Sequence, residues 1–292
     1  MASPIRLSRH SAPLRFIVLH FALVSVVNLV FFAGGAFQPL ASATGGLVTG
    51  SLVTNLIFIT VLVAWLILRH GDLRLSDIGL IPSRLPAAVA LTIGLWLAAQ
   101  IVHALAGLLT YGTVEVAPVW NSAGAYMLIG ALVAQICGNA LFEEIAYRGF
   151  LFPQFFLRLK GLADRRRVRI GAALVLSQGL FALAHIPNRL YLDMPRDAIA
   201  FDLLTLTAVG VLFTLIYIKT DNLFLGVGIH ALGNAPTTLF RTAPALEVEG
   251  ASILIYLLVI AAAYGTPVYR ESRRRLKLRR AAADWQVSED FG

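Results

Sequence analysis

Cysteine is nearly absent from this chain. Cys137 stands alone in 292 residues, so no intramolecular disulfide can form, and no thiol pair is available for redox chemistry or a thiolate-rich zinc site. Its neighbours are apolar or small, and it reads as a packing residue rather than a nucleophile. Charge is scarce too: 14% of residues are charged against 58% hydrophobic, with a mean hydropathy of +0.77, a balance that excludes an ordinary soluble domain. Acids are outnumbered, 16 against 24 Lys and Arg. A net charge of +8 would suit nucleic acid if the arginines sat on a separable soluble domain, but they sit in short clusters beside apolar runs. Nucleic acid is therefore not an expected partner. Internal repeats and inverted halves are missing as well, which argues against many transporter architectures.

What the chain has in abundance is apolar runs. Eight of them, at residues 14–37, 46–68, 86–109, 126–156, 171–186, 199–218, 223–240 and 252–268, approach or exceed the roughly 20 residues of a membrane span. They predict an all-α, polytopic membrane protein of about eight transmembrane helices, forming one integral membrane domain over residues 1–292. The first run is too long for the apolar core of a signal peptide and is expected to be retained. All but four Lys and Arg fall on one side of this arrangement: Arg189, Arg196 and Arg241 lie opposite, and Arg148 lies within a run. Positive charge marks the cytoplasmic face, so both termini are expected in the cytoplasm, with a basic, flexible tail over 270–292. The Arg165-Arg166-Arg167 cluster is expected to touch anionic headgroups, and residues 72–82 to lie flat in the interface.

Against this apolar background, Glu143-Glu144-Ile145-Ala146-Tyr147-Arg148 puts three ionisable groups into six residues. A charge near a bilayer centre costs at least about 2.5–3.5 kcal/mol, so such groups face a partner or a cavity and mark function. Glu144 and Arg148 have the favoured spacing of an intrahelical ion pair, which leaves Glu143 free. Steps of four back from Tyr147 pass Glu143, Asn139 and Gln135, a polar ridge suited to an intramembrane polar cavity. Two further clusters follow. Ser177, Phe181 and His185 share a face of the fifth run, with Pro187 expected to stop the helix just beyond the histidine. His230 and Asn234 share a face of the seventh, among Gly226, Gly228 and Gly233. Asn28, Asn55, Gln100, His103 and Asp202 are scattered, with no matching partner in the sequence.

Glu143-Glu144-x-x-x-Arg148, Phe181-x-x-x-His185 and His230-x-x-x-Asn234, in that order on successive hydrophobic segments, resemble the CAAX protease and bacteriocin-processing family of intramembrane proteases, also called the type II CAAX endopeptidase or Abi family. The motifs span residues 143–234. The resemblance implies hydrolysis of a peptide bond of a membrane-associated protein or peptide. Glu143 would activate water, His185 would orient it or carry its proton, and His230 with Asn234 would donate to the oxyanion. Glu144 and Arg148 would be the supporting pair. The competing mechanism places zinc or another divalent ion on Glu143, His185 and His230, an accepted ligand set that here lacks any compact metal motif. A non-catalytic membrane scaffold or immunity protein and a proton or ion pathway are the readings from other classes. The Ala-, Arg- and Leu-rich composition suggests a bacterial inner membrane, where an unmodified peptide or membrane protein is the expected substrate.

Overall fold

The structure, a computed structural model, describes residues 11–34, 37–122, 124–161, 165–247 and 249–262. The 270–292 tail and the side chain of Asn28 lie outside the described residues. Within them the chain is all-helical apart from an isolated antiparallel bridge between Val116 and Phe240. Eight apolar helices follow one another: α1 (Leu14–Gly34), α2 (Gly50–His70), α3 (Pro82–Tyr111), α4 (Gly124–Gly161), α5 (Arg166–Tyr191), α6 (Arg196–Thr220), α7 (Leu223–Asn234) and α8 (Glu249–Ile260). The five from α2 to α6 are long and apolar enough to cross a bilayer, and the molecule is an integral membrane protein. The described apolar stretches of α1, α7 and α8 are shorter.

The seventh run falls short of its expected length. It was expected to continue to residue 240, but α7 stops after 12 residues at Asn234 and the chain continues extended. Pro236 explains the stop, because it lacks an N–H and disfavours helix at the residue before it. A non-helical backbone at this depth needs partners for its polar groups. Trp96 and Trp120 supply them by donating their indole N–H groups to the carbonyls of Thr237 and Thr238, at 3.3 and 2.8 Å. Gln100 accepts the Leu239 N–H at 2.7 Å, and the bridge to residues 115–117 takes the rest of the strand.

Polar residues without a match in the sequence thus prove to be partnered. Gln100 serves this extended segment, His103 Nδ1 lies 3.2 Å from Thr242 Oγ1, Asn55 donates to the Ser51 carbonyl at 2.9 Å, and Asp202 accepts from Arg189 at 2.8 Å. Most of these partners are backbone groups or residues of irregular segments, which spacing along a helix does not reveal. Cys137 also differs from its expected packing role, since its side chain is exposed on the outside of α4.

The face that carries most of the arginines is tied shut. Arg84 pairs with Asp221 at 2.6 Å and also donates to the Thr220 and Asp221 carbonyls, while Asn222 Nδ2 donates to the Arg84 carbonyl at 3.1 Å. Ala12 is held to the end of α4 by Gln154 and Arg158. Residues 72–82 dock on the bundle. Leu73 and Ile78 are buried, and the Ile78 carbonyl is so close to Gly149 of α4 that a Cβ there would collide with it. The segment is drawn in because its alternating apolar residues find a protein surface as well as the lipid boundary.

Candidate active site

α4 is locally underwound on either side of Glu143. One α-helical turn, Ala140–Glu143, lies between wider π-type turns at Gln135–Asn139 and Glu144–Leu151, a geometry often found at functional sites. Consecutive helical residues point about 100° apart, so Glu143 and Glu144 face different surroundings. Glu143 lines a cavity of about 590 Å³, together with Gln135, Asn139 and Tyr147 of the expected polar ridge. Glu144 turns inward and is fully buried, with Oε1 at 3.2 Å from Arg148 Nη1. A Cβ on Gly226 would stand 2.9 Å from Glu144 Oε2, so the bare glycine of α7 is what lets the carboxylate approach.

Arg148 is equally buried. Its guanidinium lies over the rings of Phe181 and Phe213, at 4.4 and 5.5 Å, and its nitrogens make no hydrogen bond among the described residues. The contact with Glu144 is therefore one of charge rather than a bidentate fork. Phe213 also packs against the His230 ring at 5.1 Å. The sequence did not single out Phe213, one apolar residue among many on α6. Phe181 was visible through its spacing from His185.

His185 comes from a break in α5. The regular helix ends at Leu183, His185 lies in a turn, and a short helix, Ile186–Tyr191, follows. Pro187 was expected to end the helix; it instead occupies the first turn of the new one, where its missing N–H costs nothing. His185 Nδ1 is 2.8 Å from the Phe181 carbonyl, which can only accept, so this nitrogen carries the proton. His230 Nδ1 is 2.9 Å from Glu144 Oε1 and donates to it by the same logic. Both Nε2 atoms then face one carboxylate: His185 is 3.8 Å from Glu143 Oε1, and His230 is 3.6 Å from Glu143 Oε2. Each gap exceeds a direct hydrogen bond.

The structure thus gathers Glu143, His185 and His230 at one point and places Asn234 in the same cavity wall, with Glu144 and Arg148 behind it. Asn234 Nδ2 donates to Gln135 Oε1 at 3.1 Å, as does Asn139 Nδ2 at 3.3 Å. The wall residue Tyr256, on α8, carried no signal in the sequence. Among the described residues no three His, Cys, Asp or Glu side chains form a ready-made ion site as they stand, and no step below is routed through a metal ion.

A buried glutamate faced by two imidazoles, in a polar cavity of a helical membrane bundle, is an arrangement able to activate water. Comparison with known proteins narrows it: residues 123–236 match the family described as Type II CAAX prenyl endopeptidase Rce1-like, a stretch that contains all six candidate residues. Residues 123–236 are thus similar to an endopeptidase family over the stretch that holds the candidate site. No curated protein and no solved structure matches it.

Proposed function

We propose that the chain hydrolyses a peptide bond of a membrane-associated protein or peptide with a water activated by Glu143. The protein would sit in a bacterial inner membrane with both termini in the cytoplasm. The observation that supports the mechanism is the facing of two Nε2 atoms, each with its Nδ1 already committed, onto the two oxygens of one carboxylate. A water about 2.8 Å from each partner spans the gap between Glu143 and His185. As its oxygen attacks the scissile carbonyl carbon, Glu143 takes its proton. The C–N bond of the tetrahedral intermediate then breaks, and that proton passes to the leaving amine, directly from Glu143 or by way of His185.

His230 and Asn234 stand side by side on α7, where both can donate to the carbonyl oxygen as it becomes negative. Asn234 would exchange its bond to Gln135 for this one. His230 would donate from Nε2 as the imidazolium, a second proton having joined the Nδ1–H that Glu144 holds, so Glu144 and Arg148 position the ring without touching substrate.

Glu143→Gln tests the reading. The amide keeps the shape of the acid and cannot take a proton from water, so the variant should insert and fold while the fragments made by the wild type disappear from a mass-spectrometric comparison of membranes. Unchanged cleavage by purified Glu143→Gln would refute the base assignment. A scaffold would keep its cellular phenotype with this substitution, and an ion pathway would lose flux in sealed vesicles without any proteolysis.

A further inference from the structure

The cavity has a direction. Besides mid-helix residues of α1, α4, α6 and α8, its walls include the first residues of α2 (Gly50, Ser51), the short helix Gln38–Ala43, the end of α5 (His185, Asn188) and the end of α7 (Asn234). All of these helix ends lie on one face of the bundle, the face that also carries the extended segment after α7. The opposite end is closed. Glu144, Tyr147, Arg148 and Phe150 are buried beneath the site, Ile78 is pressed against Gly149 below them, and Arg84 clamps the junction of α6 and α7. That closed face bears Arg69, Arg74, Arg158, Lys160 and the arginines of residues 165–169, whereas among the described residues the open face has only Arg189, Arg196 and Arg241.

From this we infer that the active site opens to the extracytoplasmic side, and that its substrate is an unmodified polypeptide segment presented from that side. The inference rests on the hydrolytic reading above and on the rule that positive charge stays inside. The lining supports the substrate class. Gln38, Ser51, Asn55, Gln135, Asn139 and Asn188 offer amide and hydroxyl groups along the wall, which suit the N–H and C=O groups of an extended backbone. At the rim Arg189 is neutralised by Asp202 and also donates to Asn188 Oδ1, so the entrance does not select strongly for an acidic peptide.

The test uses the full chain with Cys137→Ser, expressed in a bacterial host. One cysteine is placed at the open rim, Ser42→Cys, and in a second variant one is placed on the closed face, Lys160→Cys; both native residues are exposed and neither touches the site. A bulky, membrane-impermeant maleimide–polyethylene glycol is added to spheroplasts or to inverted vesicles. Cleavage is read as the fragments that the wild type produces and Glu143→Gln does not. Ser42→Cys should react only in spheroplasts, and its modification should lower cleavage at least tenfold, whereas small N-ethylmaleimide at the same position should not. Lys160→Cys should react only in inverted vesicles, with cleavage unchanged.

If the bulky reagent on Ser42→Cys leaves cleavage intact while the same reagent on Lys160→Cys stops it, the mouth lies on the basic face and the inference is wrong. If Lys160→Cys reacts in spheroplasts, the orientation is inverted and the cavity serves the cytoplasm, which overturns it in a different way. Failure of the hydrolytic reading shows separately, as identical fragments from the wild type and Glu143→Gln. In that event the sidedness of Ser42→Cys labelling still decides which face the cavity opens to.

Discussion

Replacing Glu144 by Gln should damage stability more than chemistry, and the structure gives the size of each effect. Glu144 and Arg148 are fully buried and 3.2 Å apart, and no hydrogen bond serves the guanidinium among the described residues. Removing one charge of a buried pair costs about 3–5 kcal/mol, because the other is left uncompensated. The faces of Phe181 and Phe213 cannot make up this loss, since Arg148 already lies on them in the wild type. Adding Arg148→Met removes the stranded charge and should recover most of the stability, as buried pairs replaced by apolar groups commonly do. Turnover should fall less than in Glu143→Gln, because the amide oxygen of residue 144 can still accept the His230 Nδ1–H. Unfolding in a sodium dodecyl sulfate titration, alongside cleavage of a validated substrate, reads both quantities. If the double variant is less stable than Glu144→Gln alone, the reasoning from the stranded charge is refuted.

Two further outcomes follow from the geometry. His230→Ala and Asn234→Ala should each lower turnover by on the order of 10²–10³, with the double variant little worse than the worse single, since an oxyanion hole works only when both donors are placed; multiplicative losses would show that the two residues act separately, and a metal assay on the same proteins would reveal any ion lost with His230 alone. Gly149→Ala should destabilise by about 1–3 kcal/mol, because the added methyl meets the Ile78 backbone and not a side chain that could swing aside; wild-type stability in the same detergent titration would mean that the contact is looser than it looks.

The site was more legible in the sequence than the fold that holds it. Glu143, His185 and His230 could be named because charge and imidazole are costly in lipid and stand out against apolar neighbours. The Glu144–Arg148 pair followed from helical spacing alone. The bond from His230 to Glu144 was not legible, since it joins α7 to α4 across 86 residues with no periodicity to announce it. Boundaries failed where proline acts in two ways: Pro236 ends α7, whereas Pro187 begins a turn. The π-type turns of α4 left no mark in composition, and neither did the docking of residues 73–78, whose alternating pattern fits an interface and a protein groove equally well.

The tethering of α7 at both ends has a mechanical consequence. Below, Asn222 caps its first turn and bonds to Arg84 in the first turn of α3; above, the segment beyond Asn234 hangs from two indoles and an amide of the surrounding helices. A helix of 12 residues fixed in this way cannot tilt or slide when the bilayer thins or thickens, as the long helices can. Membrane thickness should therefore act on the outer helices that frame the entrance and leave the distance between His230 and Glu143 alone. The lipid environment would set how readily a chain is admitted, while the rate of bond cleavage, once it is seated, stays the same in thick and thin membranes.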